Sequence, residues 1–236
     1  MITDPKHIEY IERVLESAST ISIDTIIIEP GNIRGTSECG QVFILHQDDV
    51  PDLPFGSIAL NRISMFKLRH SLVRSLSPTY DVAEHKVEFN GAQLSFARTI
   101  HMATKKLKVD FRCANPITIR SPREVLDPIT YLVGGIPTWL DTLSKGLQAM
   151  GGQLVKVHRS LGEVSLSAID ANGDAFDYNI GSDEFTEADD DFAFEYDAKM
   201  FVNIIKRVKQ DSFRITQNGM INAVVDDLNV YLKPVA

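Results

Sequence analysis

The side chains with most capacity for chemistry in this 236-residue chain are carboxylates, imidazoles and basic groups. One acidic run could offer carboxylate oxygens to a divalent cation, and it comprises Glu184, Glu187, Asp189, Asp190 and Asp191. Its spacing does not match the calcium-binding loop of an EF-hand. We therefore expect a solvated acidic loop and no metal site there.

Motifs of nucleotide-binding and catalytic sites are missing from the sequence. It contains no GxxxxGK[ST], GxGxxG, HExxH or GxSxG. No two histidines have the spacing of a metal-binding or catalytic pair, and the six are His7, His46, His70, His85, His101 and His158. Cys39 and Cys113 also lack partners at metal-ligand spacing, so we read them as reduced thiols. These features favour a protein that is not an enzyme, with no catalytic residue, metal or cofactor.

The N-terminal residues and the hydropathy bear on where the protein works. The N-terminus has no basic segment followed by an apolar run, so we expect no signal peptide. No stretch approaches the ~18 apolar residues of a membrane span. A cytoplasmic location without membrane contact is therefore expected, which for a viral protein is the host cytoplasm.

Four predicted helices carry the most informative charged residues. The first follows an N-cap at Asp4 and runs from Pro5 to about Ser17, with apolar positions at helical spacing. The remaining three are predicted at about 61–76, 137–150 and 197–209. Apolar positions in the first helix are Ile8, Ile11, Leu15 and Ala18.

Basic residues are predicted opposite the apolar stripe of every helix when residues are projected at ~100° each. In the second helix the expected core stripe is Met65, Leu68, Leu72 and Leu76, opposite Lys67, His70 and Arg74. In the fourth it is Phe201, Ile204, Ile205 and Val208, opposite Lys199, Asn203, Lys206 and Arg207. The first helix has Lys6 and Arg13, with Glu9 between them, and the third has Thr138 and Lys145 opposite Leu140, Leu143 and Leu147.

This distribution matters because the formal net charge of the chain is −8. Basic helix faces on an acidic body can attract phosphates with one surface and repel them elsewhere. No set of side chains has a spacing suited to reading base edges, so contact would be independent of sequence. The competing interpretation is that each basic face is simply solvated.

Short alternating runs between the helices predict β-strands in both halves of the chain. Hairpin turns are expected at Asn90–Gly91, Asn172–Gly173 and Asn218–Gly219. The predicted strands are 21–28, 41–47, 86–89, 93–96, 107–111, 154–158, 164–169, 175–180, 212–217, 220–225 and 228–232. The order of helix, strands, helix, strands therefore occurs twice, which predicts two similar α+β domains.

A proline-rich stretch separates the two halves, with Pro116, Pro122 and Pro128 in it. We interpret it as an extended connector. The predicted organisation is an N-terminal domain at 1–112, a connector at 113–132 and a C-terminal domain at 133–236.

Three segments resemble the DNA sliding clamps, most closely the trimeric clamp of T-even-type phages. Phe55–Val73 is similar to a strand and the second helix of that clamp, and Ile136–Val157 to its third helix and next strand. The closing Tyr231–Leu232–Lys233–Pro234 is similar to the end of the eukaryotic and archaeal clamp, PCNA. The resemblance covers most of the chain through scattered residues rather than an invariant motif.

The resemblance implies a homotrimeric ring of two-domain subunits, in which inner helices surround duplex DNA and antiparallel sheets lie outside. Such clamps tether a DNA polymerase for processive replication and are opened by a clamp loader. The expected DNA-facing residues are Lys67, Arg74, Lys199, Lys206 and Arg207, followed by Lys6, Arg13 and Lys145. Glu9, Glu12 and Glu16 make the first helix a departure from a uniformly positive pore.

Two further sites follow from this resemblance. Partner peptides would dock in an apolar pocket formed by Ile33, Val125, Leu126, Ile129, Tyr231, Leu232 and Pro234. Subunits would join head to tail through edge strands 107–111 and 175–180, whose flanking charges are opposite. The expected interface residues are Lys106, Lys108, Phe111, Asp174, Phe176 and Asp177.

Two other functions fit parts of the sequence. An α+β enzyme or regulatory domain would need a cleft with strongly shifted titratable groups. A monomeric DNA-binding accessory protein would use the basic helix faces without forming a ring.

Overall fold

Within the described residues a β-α-β-β-β motif occurs four times, which agrees with the predicted order of helix, strands, helix, strands occurring twice. The computed structural model describes residues 2–47, 49–89, 92–116, 129–170, 172–181 and 191–235. The chain divides into two compact units, residues 1–122 and residues 123–236. Each unit contains two motifs, and the domain boundaries predicted from sequence stay a prediction.

The first unit contains the first two motifs. Its first motif comprises β1 (Ile2–Thr3), α1 (Pro5–Thr20), β2 (Thr25–Glu29), β3 (Asn32–Thr36) and β4 (Val42–His46). Its second comprises β5 (Ile58–Leu60), α2 (Ile63–Ser71), β6 (Thr79–Phe89), β7 (Ala92–Ala103) and β8 (Lys108–Arg112). A 3-10 turn at Arg74–Leu76 follows α2.

The second unit repeats this order. Its first motif comprises β9 (Ile129–Val133), α3 (Ile136–Met150), β10 (Leu154–Ser160), β11 (Glu163–Ile169) and β12 (Ala175–Gly181). Its second comprises β13 (Phe192–Asp197), α4 (Ala198–Ile205), β14 (Phe213–Thr216), β15 (Ile221–Val225) and β16 (Leu228–Leu232).

The two motifs of each unit exchange their first strands. In the first unit β1 pairs with β6 and β5 pairs with β2, which gives the strand orders β1-β6-β7-β8 and β5-β2-β3-β4. In the second unit β9 pairs with β14 and β13 with β10, which gives β9-β14-β15-β16 and β13-β10-β11-β12. These pairings are antiparallel, so each unit has two sheets and one helix pair. The predicted α+β class is therefore confirmed.

Helix starts follow the capping residues of the sequence. The Asp4 carboxylate accepts a hydrogen bond from the Lys6 backbone N–H at 2.9 Å, and Pro5 occupies the first turn of α1. Asp197 caps α4 in the same way, accepting from the Met200 N–H at 2.8 Å. All four predicted apolar positions of α1 are fully buried.

The predicted core stripe of α2 is wrong. Met65, Leu68, Leu72 and Leu76 are exposed, and the helix instead buries Ile63, Phe66, His70 and the following Val73. Apolar residues occur on two sides of this helix, and the side that contains the Phe66 ring is the one buried in the interior. Phe66 packs edge to face on Phe111 of β8 at 5.2 Å, while the imidazole Nε2 of His70 hydrogen-bonds the Tyr80 hydroxyl at 2.7 Å.

An aromatic cluster fills the interior of the second unit beneath α3 and α4. Phe201 of α4 lies 6.4 Å from the Trp139 ring, 5.9 Å from Phe213 and 5.8 Å from Tyr196. The buried Tyr196 hydroxyl donates to the Gly219 carbonyl at 2.6 Å. Gly219 has a φ of 79°, and a Cβ there would clash with the Phe194 ring. The Asn218–Gly219 turn therefore requires glycine at position 219, because the backbone has a positive φ and there is no room for a Cβ.

Several predicted bounds differ from the structure. Ile21–Asp24 precede β2 instead of belonging to it, because α1 continues to Thr20. Residues 129–132, assigned to the connector, lie in β9. Helix α4 ends at Ile205, after which Val208 is half-buried and bridges Val225. Leu140 of α3 is also only half-buried, because Trp139 takes the core position. The turn at 90–91 lies outside the described residues.

The two thiols are expected to react at very different rates. Cys39 is exposed, whereas burial of Cys113 raises its pKa to about 12. Because the thiolate is the reactive species, a disulfide reagent at pH 8 should modify one thiol rapidly and the second only after unfolding. Cys39→Ser should remove the rapid phase, and two rapid thiols per folded chain would contradict the placement of Cys113.

Candidate nucleic-acid interface

The basic residues of α4 are exposed and turned away from the core. Phe201, Ile204 and Ile205 are buried, and at ~100° per residue Lys199 and Lys206 lie opposite them. Arg207 follows the helix and is also exposed. No ion pair involves these three residues within the described part of the chain. Lys206 and Arg207 also stand at the helix C-terminus, where positive charge is favourable. The outward side of α4 and the residues just after its C-terminus thus offer three cations to an anionic partner.

The basic residues Lys67 of α2 and Arg74 of the turn after it contact α1, which packs beside α2. Lys67 is half-buried, and its Nζ lies 3.0 Å from the Ser19 hydroxyl. The Arg74 guanidinium donates to the Glu12 carboxylate at 2.9 Å. His70, predicted on the same polar face, is buried. These contacts join the two helices and reduce the positive charge that α2 presents to solvent.

Helices α1 and α3 contribute mixed charge. Lys6 and Arg13 are exposed, but Glu9 and Glu16 share the same outward face of α1. The Arg13 guanidinium also lies over the Tyr10 ring, 5.4 Å from its centroid.

On α3, Lys145 forms an exposed ion pair with Asp141 at 2.5 Å. Exposed pairs at this helical spacing contribute little stability, but the Asp141 carboxylate offsets the positive charge that Lys145 offers to a phosphate. The predicted basic lining is therefore strongest at α4.

Two edge strands carry the residues predicted for subunit contact. Strand β8 pairs only with β7 in the described chain, so no strand lies along its other side. The Asp110 and Arg112 carbonyls of β8 accept hydrogen bonds from the Arg69 and Arg62 side chains. Lys106, Lys108 and Arg112 are exposed along it, whereas Phe111 is fully buried beneath α2. Phe111 thus supports the strand from inside and presents no surface of its own.

Strand β12 is the corresponding edge of the second unit, because it pairs only with β11 in the described residues. Asp174 and Asp177 are exposed, and Phe176, Tyr178 and Ile180 are half-buried. The exposed charged residues of the β8 edge are mostly basic, with Asp110 as the exception, and those described on the β12 edge are acidic. Their role in subunit contact stays a prediction.

The residues predicted for a peptide pocket have different environments. Ile33 and Leu232 are fully buried, Tyr231 is mostly buried, and Pro234 is half-buried. Burial raises the pKa of the Tyr231 hydroxyl. The backbone of Ile129 pairs with Thr216. Val125 and Leu126 lie outside the described residues.

Other basic residues near these surfaces were missed by the helical projection. Arg69 donates to the Asp110 carbonyl of β8 at 2.8 Å, and both Arg62 and Arg69 lie over the Phe111 ring. The sequence positions of Arg62 and Arg69 did not indicate these contacts, because their partners come from a strand some 40 residues further along the chain.

The structure also bears on metal and membrane sites. No group of three or more His, Cys, Asp or Glu residues that could hold a metal occurs in the described ranges. Asp191 is the only residue of the predicted acidic run that lies in the described ranges. Its carboxylate accepts a hydrogen bond from the Leu161 N–H at 3.1 Å. Among the described helices, none has both the length and the hydrophobicity needed to span a bilayer.

Comparison with known proteins finds no matching family model and no matching curated protein. Solved structures do match over nearly the whole chain. PCNA from Entamoeba histolytica is 16% identical with a TM-score of 0.55, covering 96% of this chain and 95% of its own. PCNA from Thermococcus kodakaraensis is 11% identical with a TM-score of 0.54, covering 100% and 99%.

Bacterial proteins match with higher structural scores but over a smaller share of their length. The DNA polymerase III β subunit from Thermotoga maritima is 13% identical with a TM-score of 0.62, covering 97% of this chain and 64% of its own. The similarity therefore extends to clamps with longer chains, and the expected phage type stays a prediction. Four β-α-β-β-β motifs in two units, together with these neighbours, show that this chain has the PCNA-like fold of the DNA sliding clamps.

Proposed function

We propose that this protein is a sliding clamp that encircles duplex DNA and tethers a replicative polymerase to it. The observation that carries this proposal is the whole-chain similarity to PCNA together with the exposed basic residues of α4. A clamp performs no catalysis, so the lack of nucleotide-binding and catalytic motifs is consistent with this role. The partners proposed here are duplex DNA, a polymerase, a clamp loader and two further copies of the chain.

Three copies would close the ring through strands β8 and β12. Strand β8 of one copy would pair with β12 of the next, which would give each edge strand a second neighbour. Lys106 and Lys108 would then approach Asp174 and Asp177. The two surfaces differ, so the contact is head to tail and can close into a ring.

The α4 cations would line the pore three times over and contact phosphates without reading bases. Lys6, Arg13, Lys67, Arg74 and Lys145 would contribute less, because acidic or polar neighbours hold or offset most of them. Weak, interchangeable contacts suit a protein that slides, since a deep electrostatic well would stop it. Retention on DNA would come from the closed ring.

Partner peptides would dock beside the C-terminal strand, at the pocket predicted from Ile33, Val125, Leu126, Ile129, Tyr231, Leu232 and Pro234. Pro234 is the best probe of this site, because it is only half-buried and follows the last strand. Leu232 is fully buried, so replacing it by a small residue would cost about 2–5 kcal/mol of stability. Loss of binding in such a variant would not report on the pocket.

The ring proposal is tested by the mass of the protein in solution. Sedimentation at micromolar concentration should give a species of three chains, each of 26.3 kDa. A single chain at every concentration would contradict the ring and favour a monomeric DNA-binding accessory protein.

A further inference from the structure

One carboxylate oxygen of Glu12 has two basic neighbours. The Arg74 guanidinium donates to Glu12 Oε1 at 2.9 Å, and the imidazole Nδ1 of His70 lies 3.1 Å from the same oxygen. The Arg74 side chain is 62% exposed, whereas that of His70 is only 2% exposed. Nδ1 of His70 is buried, and no aligned hydrogen bond reaches it from the described residues. An exposed arginine and a buried imidazole therefore compete for one carboxylate oxygen.

The other ring nitrogen of His70 has a partner that suits both protonation states. Nε2 lies 2.7 Å from the Tyr80 hydroxyl, and a hydroxyl can donate to a neutral imidazole or accept from a protonated one. Burial, followed by the Glu12 and Glu9 carboxylates, raises the pKa of the Tyr80 hydroxyl, so this hydroxyl keeps its proton. A carboxylate only accepts, so Glu12 suits an Nδ1–H in either state. The site can therefore hold the imidazole neutral or charged.

The charges around this site have opposing effects on a proton. The charged and titratable groups around the imidazole and the Tyr80 hydroxyl are Glu9 and Glu12 of α1, Tyr80 of β6 and Arg74 of the turn after α2. Phe66 stacks on the ring with centroids 5.8 Å apart. Lys67, one turn before His70, has its Nζ 3.0 Å from the Ser19 hydroxyl. A proton on His70 is thus favoured by α1 and opposed by Arg74.

We propose that His70 is a positioning residue for DNA binding, which takes over Glu12 as a protonated partner when Arg74 moves to a phosphate. This proposal rests on the clamp function proposed above and adds a proton to its DNA contact. While Arg74 stays on Glu12, the guanidinium repels a positive charge on His70. Once a phosphate binds Arg74, that repulsion falls and the freed carboxylate attracts the imidazolium. DNA binding then takes up at most one proton per subunit at this site.

Reciprocity between the two ligands fixes the direction of the pH effect. If DNA favours the protonated imidazole, protons favour DNA binding by the same factor. Imidazoles change charge between about pH 5 and 8, so lowering the pH from about 8 to about 6 should tighten binding to a duplex. Couplings between sites are typically about 5- to 150-fold, and we expect about tenfold here.

The proposal is tested by measuring affinity against pH in wild type, His70→Gln, Arg74→Gln and the double variant. Anisotropy of a labelled duplex at low salt gives the affinity. The tightening between pH 8 and pH 6 in wild type should exceed that in either single variant about tenfold. The double variant should match the single variants, because both substitutions remove the same coupling. His7→Gln, which removes another imidazole from α1, should keep the wild-type tightening.

Replacing the shared carboxylate gives a result that a purely structural role would not produce. Glu12→Gln should bind the duplex more tightly than wild type at pH 8, because Arg74 is then free for a phosphate, and its affinity should vary less with pH. Glu16→Gln is the matched control, because Glu16 is an exposed carboxylate of the same helix. It should keep the wild-type dependence on pH.

Equal tightening in wild type and folded His70→Gln would overturn this inference and leave the DNA contact of the clamp intact. Loss of the tightening in His7→Gln would also overturn it, since the proton would then bind elsewhere. If circular dichroism shows that His70→Gln is unfolded, Arg74→Gln and Glu12→Gln decide, and wild-type tightening in both would overturn the inference. A wild-type protein that does not bind the duplex at either pH would instead contradict the proposed function.

Discussion

Reversing the charge of Lys199, Lys206 and Arg207 to glutamate should weaken binding to a 30-base-pair duplex about a thousandfold at 50 mM salt. Each phosphate contact contributes about 0.9 to the slope of log affinity against log salt, so each one lost at this salt costs roughly tenfold. The variant should therefore also show a shallower salt dependence. Anisotropy of a labelled duplex measures both quantities.

The fold should survive this change, because none of the three side chains contacts the core. Placing glutamate at the C-terminal end of α4 costs about 0.3–1 kcal/mol through the helix dipole. A matched control is Lys86→Glu with Lys156→Glu and Arg214→Glu, which changes the net charge equally on strands β6, β10 and β14. Equal losses in both variants would show that α4 has no special role.

The second large effect is expected at the strand edges. Lys106→Glu with Lys108→Glu should raise the dissociation constant of the trimer about thirtyfold at low salt. Each reversal replaces an attraction by a repulsion, and exposed pairs contribute up to ~1 kcal/mol each. Sedimentation over a range of concentrations measures the change, and added salt should reduce it.

Reversal of both edges in one chain provides the control for this prediction. Adding Asp174→Lys and Asp177→Lys restores opposite charges and should restore the trimer. Mixing two separately reversed proteins is a poorer test, because a ring of three cannot alternate two kinds of subunit. A four-residue variant that stays dissociated would show that these strands do not pair.

The sequence predicted elements well where one side of a helix was clearly apolar. Helix α1 has a single apolar stripe and a capping Asp4, and its core positions were confirmed. In α4 the stripe through Phe201 and Ile205 was confirmed, so the exposure of Lys199 followed from it. Local pattern was sufficient in both helices because only one side could be buried.

The pattern of apolar residues did not predict which side of α2 is buried. Both the side with Phe66 and the side with Leu68 are apolar, and periodicity cannot choose between them. Contacts with Phe111 and Tyr80 determine which side is buried, and these residues come from strands β8 and β6, outside the helix itself. The same error hid an exposed apolar surface, because Met65, Leu68, Leu72 and Leu76 were assigned to the core and are exposed in the structure.

Local sequence patterns also could not predict the strand order or the partners of individual side chains. The exchange of first strands between motifs pairs β1 with β6 across most of a unit, and nothing in residues 2–3 signals it. Glu12 was interpreted as a negative charge that reduces the positive charge of the predicted pore. In the structure its carboxylate accepts a hydrogen bond from the Arg74 guanidinium. Long-range contacts of this kind decide which basic side chains take part in ion pairs.

The central claim, that the protein surrounds DNA, is tested most directly by topological retention. The protein would be incubated with a linear duplex biotinylated at both ends, so that rings can thread over the free ends. Streptavidin would then block the ends, salt would be raised to about 1 M to screen phosphate contacts, and the complex would be separated by gel filtration.

We predict that protein stays with the DNA when streptavidin is added after incubation and is lost when streptavidin is added first. Release at high salt in both orders of addition would mean that electrostatic contact alone held the protein, and would contradict a closed ring around the duplex.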